Sequence, residues 1–266
     1  MLAELVLNAL VRCAAPARRL GYGRGAVSLW SRSRRCARAW APHHAATRDY
    51  VAGLLRDLPQ KGGNAWVLGA GLLDDLPLDD LCRSFDRVIL ADIAFLPGMA
   101  RRLRRYGNVE MRLFDATGIV APLSRWQAPE NLPLPAANVL AGLDAAAPSL
   151  VLSLNLLSQL PLLPLAWLER HGVDHGTRQD YGRRIVNAHL AGLRGLACPV
   201  GLVSDHRRIF RNRAGEAVVA ESALFDVTPP VAEREWTWSL APLGEIDGQT
   251  ALDLRVLATR NLGLAA

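Results

Sequence analysis

Lysine is almost missing from this chain: Lys61 stands alone beside thirty arginines in 266 residues. A net charge of +6 built this way first reports a general preference for arginine, so charge alone does not name a polyanionic partner. Cysteine is scarce too. Cys13, Cys36, Cys82 and Cys198 show no CxxC spacing, which excludes a disulfide framework and a zinc knuckle and leaves ordinary thiols. No apolar run approaches the roughly 18–20 residues that cross a bilayer. The opening MLAELVLNALV carries Glu4 and lacks a basic start, so it reads as a short helix packed on the domain rather than a secretory signal, and a cytoplasmic protein is expected. There is no GxxxxGK[ST] loop for phosphates, no Ser/His/Asp order for acyl transfer and no HExxH. His171 and His175 are four apart, but Gly172 and Gly176 undermine the helix that would pair them, and no metal site is assigned. Internal repeats and low-complexity tracts are absent as well.

What remains is a chain that is half hydrophobic and about one-fifth charged, long enough for one large α/β domain with additions. The charge divides unevenly. Residues 1–60 hold ten arginines against Glu4, Asp49 and Asp57, so they carry +7 and the rest carries −1. Residues 1–60 therefore read as a basic N-terminal helical extension and 61–266 as the main domain. The extension should break around Gly21, Gly23 and Gly25 and then form two helices, Ser28 to Trp40 and Ala45 to Leu58, separated near Pro42. Its basic character is compatible with nucleic acid, an anionic lipid surface or another polyanion; such a partner is possible but not favoured.

After the turn residues Pro59 to Asn64, short apolar runs alternate with helical stretches. Ala65 to Leu68 ends at Gly69, and Arg87 to Ala91 ends at Asp92. Val109 to Phe114 closes at Asp115, Ser149 to Leu154 is followed by Asn155, and Val200 to Val203 ends at Ser204-Asp205. Helices are predicted from Leu78 to Phe85, Leu96 to Tyr106 and Gln179 to Leu196; Ala121 to Leu143, rich in proline, receives no assignment. The last third differs: Glu216 to Phe225, Glu233 to Leu240 and Ala251 to Thr259 are extended, and the latter two, joined through Pro242 to Glu245, predict an antiparallel pair. The expected fold is α/β: a Rossmann-like, mostly parallel sheet with a C-terminal antiparallel hairpin and an N-terminal helical extension.

In such a sheet ligands sit beyond the strand C-termini, near the switch point. Three features converge there. Gly69-Ala70-Gly71 allows a tight turn and close backbone approach, Asp92 can accept hydrogen bonds from ribose hydroxyls, and Asp115 is placed to meet an adenine amine. Each alone is a common turn or cap; their order, one strand and one helix apart, carries the inference.

With these motifs the chain resembles the class I S-adenosylmethionine-dependent methyltransferase superfamily, over about residues 60–260. The matching segments are Val67-Leu68-Gly69-Ala70-Gly71, Leu90-Ala91-Asp92-Ile93, Phe114-Asp115-Ala116-Thr117 and the fourth strand with Asn155. The resemblance implies S-adenosylmethionine as cofactor, with Gly69, Ala70 and Gly71 under its amino-acid end, Asp92 and Ile93 at the ribose, Asp115 and Ala116 at the adenine, and in-line methyl transfer as the reaction. Two departures stand out. Val67 occupies the place where many members carry an acid, leaving Asp74 or Asp75 to hold the cofactor's ammonium. The Asp/Asn-Pro-Pro motif is replaced by Asn155-Leu156-Leu157, which argues against an adenine-N6 or glutamine methylase and leaves the acceptor unidentified. Asn155, His43 and His44 are the catalytic candidates, with Asp205 as a further proton acceptor. A non-catalytic methyltransferase-like binding or assembly protein is the alternative. An NAD-dependent oxidoreductase is less favoured, because Asp74 falls where a dinucleotide fingerprint has its third glycine.

Two further elements keep two readings each. The segment with His43, His44 and Trp40 is either a cover over the cleft or a packed helix with solvated arginines. Trp236 and Trp238, on one face of a strand, form either an aromatic wall for a substrate or core packing. The run Arg101, Arg102, Arg104 and Arg105 reads as a solvated helix face.

Overall fold

The short apolar runs become the centre of an eight-stranded sheet in the computed structural model of the chain, which describes residues 2–59, 61–128, 131–135, 139, 148–260 and 262. The N-terminal part comprises α1 (Leu2–Leu10), β1 (Arg12–Cys13), α2 (Ala15–Leu20), α3 (Tyr22–Arg35) and α4 (Ala37–Asp57). The alternating part follows as β2 (Asn64–Leu68), α5 (Leu78–Ser84), β3 (Arg87–Asp92), β4 (Ala94–Phe95), α6 (Met99–Leu103), β5 (Val109–Leu113), α7 (Val120–Leu123), β6 (Pro148–Leu154), α8 (Leu162–Arg170), α9 (His175–Arg194) and β7 (Val200–Arg211). The chain then runs through β8 (Ala217–Ser222), β9 (Arg234–Ala241) and β10 (Ala251–Thr259).

Strand order across the sheet is β5-β3-β2-β6-β7-β10-β9, with β8 on β7. The first five strands are mutually parallel; β10 runs antiparallel to both β7 and β9. This is the Rossmann-like sheet with an antiparallel end that the sequence implied. The chain winds from β2 outward to β5 and then returns to β6 on the other side of β2, so the switch point lies between β2 and β6, where Val67 pairs with Leu152.

Alternation along β2 feeds two layers. Ala65 and Val67 join Val51, Leu54 and Leu55 of α4 and Leu81 of α5, whereas Trp66 and Leu68 join Val186, Leu190 and Leu193 of α9. Both faces are thus covered, which explains why these strands read as continuous apolar runs. Gly201 of β7 fits this packing: a Cβ there would come within 2.7 Å of Leu54 Cδ1.

Several boundaries differ from the sequence-based expectation, each for a local reason. The N-terminal helices meet at Cys36 rather than near Pro42, which sits inside α4. The missing amide of Pro42 costs a helix bond, offset by burial of Trp40, Tyr50, Val51, Leu54 and Leu55 in the main core. Gly21 ends α2 with φ of 104°, as expected, but Gly23 and Gly25 lie within α3. A Cβ on Gly23 would stand 2.8 Å from Asn8 Oδ1, so that glycine serves close helix approach rather than a break. The helix expected from Leu96 shrinks to α6, because Pro97-Gly98 delays its start and Gly98 takes φ of 86°. The helix expected from Gln179 starts at His175, capped by Asp174, whose side chain accepts from Thr177 N. Helix α8 was not anticipated, and β7 runs eight residues beyond the expected Val203 because β8 and β10 pair with its second half. Of the unassigned stretch from Ala121 to Leu143, residues 129–130, 136–138 and 140–143 lie outside the described residues. Among the described residues no helix is long and apolar enough to cross a membrane. None of the four cysteines is in a disulfide, and of them Cys36 alone is buried.

The basic N-terminal part is built into this frame. β1 pairs with β4, and α2 places Ala17 and Leu20 against Leu123, Leu165 and Leu168. Arg32 and Arg35 of α3 both bind Glu245 in the β9–β10 turn, at 3.1 and 2.6 Å, and hold its carboxyl down at about 2. Part of the N-terminal charge is therefore spent on internal fastening.

Candidate functional site

At the switch point the strand ends open into a cavity of about 360 Å³. All the residues named from sequence as cofactor ligands line it: Gly69, Ala70, Gly71, Asp74, Asp92, Ile93, Asp115, Ala116 and Asn155. His43 and His44 line it as well. The sheet brings together three strand ends that are far apart in sequence, and the N-terminal helices add Tyr22, Gly25, Ala26 and Leu29 from α3 and Trp40 from α4. The segment meets both readings in part: Trp40, His43 and His44 line the cavity, and Trp40 also packs into the main core. Asp205 is elsewhere: it is 4% exposed, accepts from Ser158 Oγ, and does not line the cavity. It is unavailable as a base for a ligand bound there.

The floor is the Gly69–Gly71 turn. Gly69 has φ of 76°, and a Cβ on it would stand 2.8 Å from the Leu154 carbonyl and 2.9 Å from Leu156 Cβ. Glycine is thus required for the left-handed backbone and for the approach of the β6 end. Gly71 N donates to Asp92 Oδ2 at 2.8 Å, and Ala94 N donates to Asp92 Oδ1 at 3.2 Å. Burial raises the Asp92 pKa, and these backbone donors oppose it. Asp115 caps its own loop: Oδ1 accepts from Thr117 N at 2.9 Å and Thr117 Oγ1 at 2.5 Å, and Oδ2 from Val120 N at 2.9 Å. Oδ1 thus has both lone pairs engaged, whereas Oδ2 keeps one that can accept from a ligand. Tyr22 lies close enough to both acids that burial, then Asp115 and Asp92, push its phenol pKa up.

No helix begins at the glycine turn. Residues 72–75 form turns and a bend, with Leu73 at φ of 64°, and α5 starts only at Leu78. A helix N-terminus, the usual cradle of a pyrophosphate, is therefore missing from this floor. The charge of the lining agrees. Among the described residues it holds four carboxylates, Asp74, Asp75, Asp92 and Asp115, and no arginine or lysine, in a chain with 31 basic residues.

The wall between α4 and β6 is a polar network. His43 is 1% exposed and stacks on Trp238, ring centroids 3.9 Å apart. Its Nδ1 receives the Trp236 indole N–H at 3.0 Å, and its Nε2 lies 3.1 Å from the Asn155 amide. Burial, with a smaller contribution from His44, lowers its pKa to about 3. Because an indole nitrogen can only donate, Nδ1 is bare and the proton sits on Nε2. The Asn155 amide nitrogen donates to Asp75 Oδ2 at 2.7 Å, while Asn155 Oδ1 is buried with no hydrogen-bond partner among the described residues. Burial raises the Asp75 pKa, opposed by His44 and by the Asn155 hydrogen bond. Asn155 adopts φ of 50°, a left-handed conformation asparagine tolerates, and this aims its side chain at both partners.

The two candidate histidines thus separate. His43 is a wall residue whose ring nitrogens are both engaged. His44 has no hydrogen-bond partner on its ring among the described residues, meets Trp40 edge-on at 6.0 Å and interacts electrostatically with Asp75. The tryptophan pair also divides: Trp238 lines the cavity, and Trp236 stands behind it on His43. The sequence reading did not single out Tyr22 or Leu29, nor Gln159 apart from its neighbours in the segment Asn155 to Pro161 after the fourth strand. Only α3 packing over the sheet edge reveals the first two, and Gln159 reaches the site because its side chain bonds the Asn155 carbonyl at 2.7 Å.

Comparison with known proteins gives little beyond architecture. The chain matches no family model and no curated protein. Among solved structures it is similar to one described as a DhpI-SAM-HEP complex, at 13% identity, covering 86% of this chain and 94% of the other with a TM-score of 0.36. A DhpI-SAH complex matches at 14% identity over 88% and 94%, TM-score 0.34. The 23S rRNA methyltransferase ErmE matches at 12% identity over 82% and 71%, TM-score 0.29. Likeness this distant assigns no ligand or substrate to the present chain.

Proposed function

We propose that this protein is an S-adenosylmethionine-dependent methyltransferase. One observation carries the proposal: the switch-point cleft is lined by four carboxylates and, among the described residues, by no arginine or lysine. That set fits a nucleoside bearing positive charge and no phosphate. It suits poorly the pyrophosphate of NAD, which asks for a helix N-terminus or cationic groups. The ordered motifs, glycine turn then acid then acid, agree with the same ligand.

When bound, the cofactor supplies an electrophilic methyl group on a sulfonium whose leaving group is a neutral thioether. The protein's own work is positional. The Gly69–Gly71 backbone lets the ligand lie against the β2 end, Asp92 accepts from ribose hydroxyls, and Asp115 with Ala116 borders the adenine. Helices α3 and α4 close the cleft with Tyr22, Ala26, Leu29 and Trp40, opposite Leu160 and Leu163, so the acceptor half is mainly apolar and sheltered from water. An acceptor that must lose a proton finds His44 as the open ring nitrogen in that half. His43 and Asn155 hold the wall.

Calorimetric titration tests this reading. S-adenosylmethionine and S-adenosylhomocysteine should bind, NAD should not, and Asp92→Ala should weaken the sulfur ligands at least about tenfold, the loss of hydrogen bonds to a charged group. Binding of NAD in preference to both would refute it. Binding without methyl transfer to a broad acceptor panel would instead indicate the non-catalytic form of the fold.

A further inference from the structure

The four carboxylates in the cleft are not equivalent. Asp92 is held by two backbone amides and Asp115 by two amides and a hydroxyl. Asp74 sits at the rim with its side chain 40% exposed, 3.6 Å from the Arg102 guanidinium. Asp75 has neither a guanidinium nor another residue's backbone amide on its carboxyl; among the described residues its one side-chain partner is the Asn155 amide. A half-buried acid with so little compensation costs stability when it ionises. Such a group persists where a cation arrives to complete it.

Resting on the reading above, we propose that Asp75, positioned by Asn155, is the counter-charge for the ammonium group of the bound cofactor, in place of the acid that Val67 lacks. Three placements support it. Asp75 and the Gly69–Gly71 turn line the same cavity, the turn lying under the expected amino-acid end of the ligand. Val67 is fully buried in the core and cannot reach a ligand. Asn155 stands at the end of β6, across the switch point from the glycine turn, so its grip on Asp75 sets the carboxyl between the two strand ends. Asp74, by contrast, is turned toward Arg102 and the rim. The choice between the two neighbouring acids, open in the sequence, is made by the fold.

The test compares ligands differing only in the amine. S-adenosylhomocysteine and its deaminated analogue, which keeps the carboxylate, are titrated into the full chain and into Asp75→Asn and Asp74→Asn. The wild-type protein should prefer the amine-bearing ligand by roughly 10- to 100-fold, the range for a hydrogen bond to a charged group. Asp75→Asn should erase that preference while binding the deaminated analogue as before, and Asp74→Asn should retain it. Retention of the preference in Asp75→Asn overturns the proposal. Failure of the wild-type protein to bind either ligand overturns instead the nucleoside reading on which it rests. Should Asp75→Asn not fold, the structure of the wild-type complex decides: an amine nitrogen within about 3.2 Å of Asp75 upholds the assignment, and one on Asp74 or on neither acid refutes it.

Discussion

Gly69 and Gly71 look alike in the sequence, yet the structure gives them different work, and alanine at each should separate the two roles. Both have positive φ, 76° and 52°, so each alanine carries a left-handed penalty of roughly 1–2 kcal/mol. Only at Gly69 does the new methyl also meet close atoms: a backbone carbonyl at 2.8 Å and Leu156 Cβ at 2.9 Å. Neither belongs to the far end of a flexible side chain, so β6 must shift, adding roughly 1–3 kcal/mol of overpacking. The expected loss is then about 2–5 kcal/mol for Gly69→Ala and about 1–2 kcal/mol for Gly71→Ala, whose methyl has only the Gly69 carbonyl nearby, at 3.6 Å. Urea denaturation with a common m-value measures the difference directly. Ligand affinity should rank the other way once corrected for folding: Gly71→Ala stays folded but adds bulk to the cavity wall, and S-adenosylhomocysteine binding should fall. Equal destabilisation by the two alanines, or unchanged binding by folded Gly71→Ala, would refute the assignment of Gly69 to strand packing and Gly71 to the ligand surface.

Other expectations follow from the same contacts. A carboxyl whose folded pKa lies above its unfolded value loses stability as pH rises between the two, so Asp75→Asn should melt higher than wild type at neutral pH. That gain should vanish below about pH 4, where the acid is protonated in both states. Glu245→Gln should cost about 1–2 kcal/mol at neutral pH by unfastening α3. Because the folded pKa of Glu245 is depressed from 4.5 to about 2, that difference should fade as pH drops through this window; a pH-independent difference would argue against the ion pair. His43 should remain a neutral Nε2–H tautomer from pH 8 to pH 4 by ¹⁵N NMR, and Trp236→Phe should release that tautomer preference.

The parallel core was legible because its strands are buried on both faces and end at glycine, aspartate or asparagine. Periodicity and turn chemistry are local properties, and they survive in the one-dimensional text. The antiparallel end was legible for the same reason. The helical boundaries were less so: Pro42 and Gly23 were overruled by burial of Trp40 and by the approach of α1 to α3, which no short window contains. Helix α8 escaped notice because its apolar content, Leu162-Leu163-Pro164-Leu165-Ala166-Trp167, has no clear polar face or cap.

The linear order of residues was sufficient to fix the sheet's class, the glycine turn and the two acids that follow it, since each depends on neighbours a few positions away. Which residues share a cavity depends instead on how layers stack. Only tertiary packing brought α3 and α4 over the strand ends and shut His43 into the wall while leaving His44 open. It also turned Asp74 to the rim and Asp75 inward. Burial and hydrogen-bond pairing decide the chemistry of an ionisable side chain, and both are properties of the folded neighbourhood rather than of the residue.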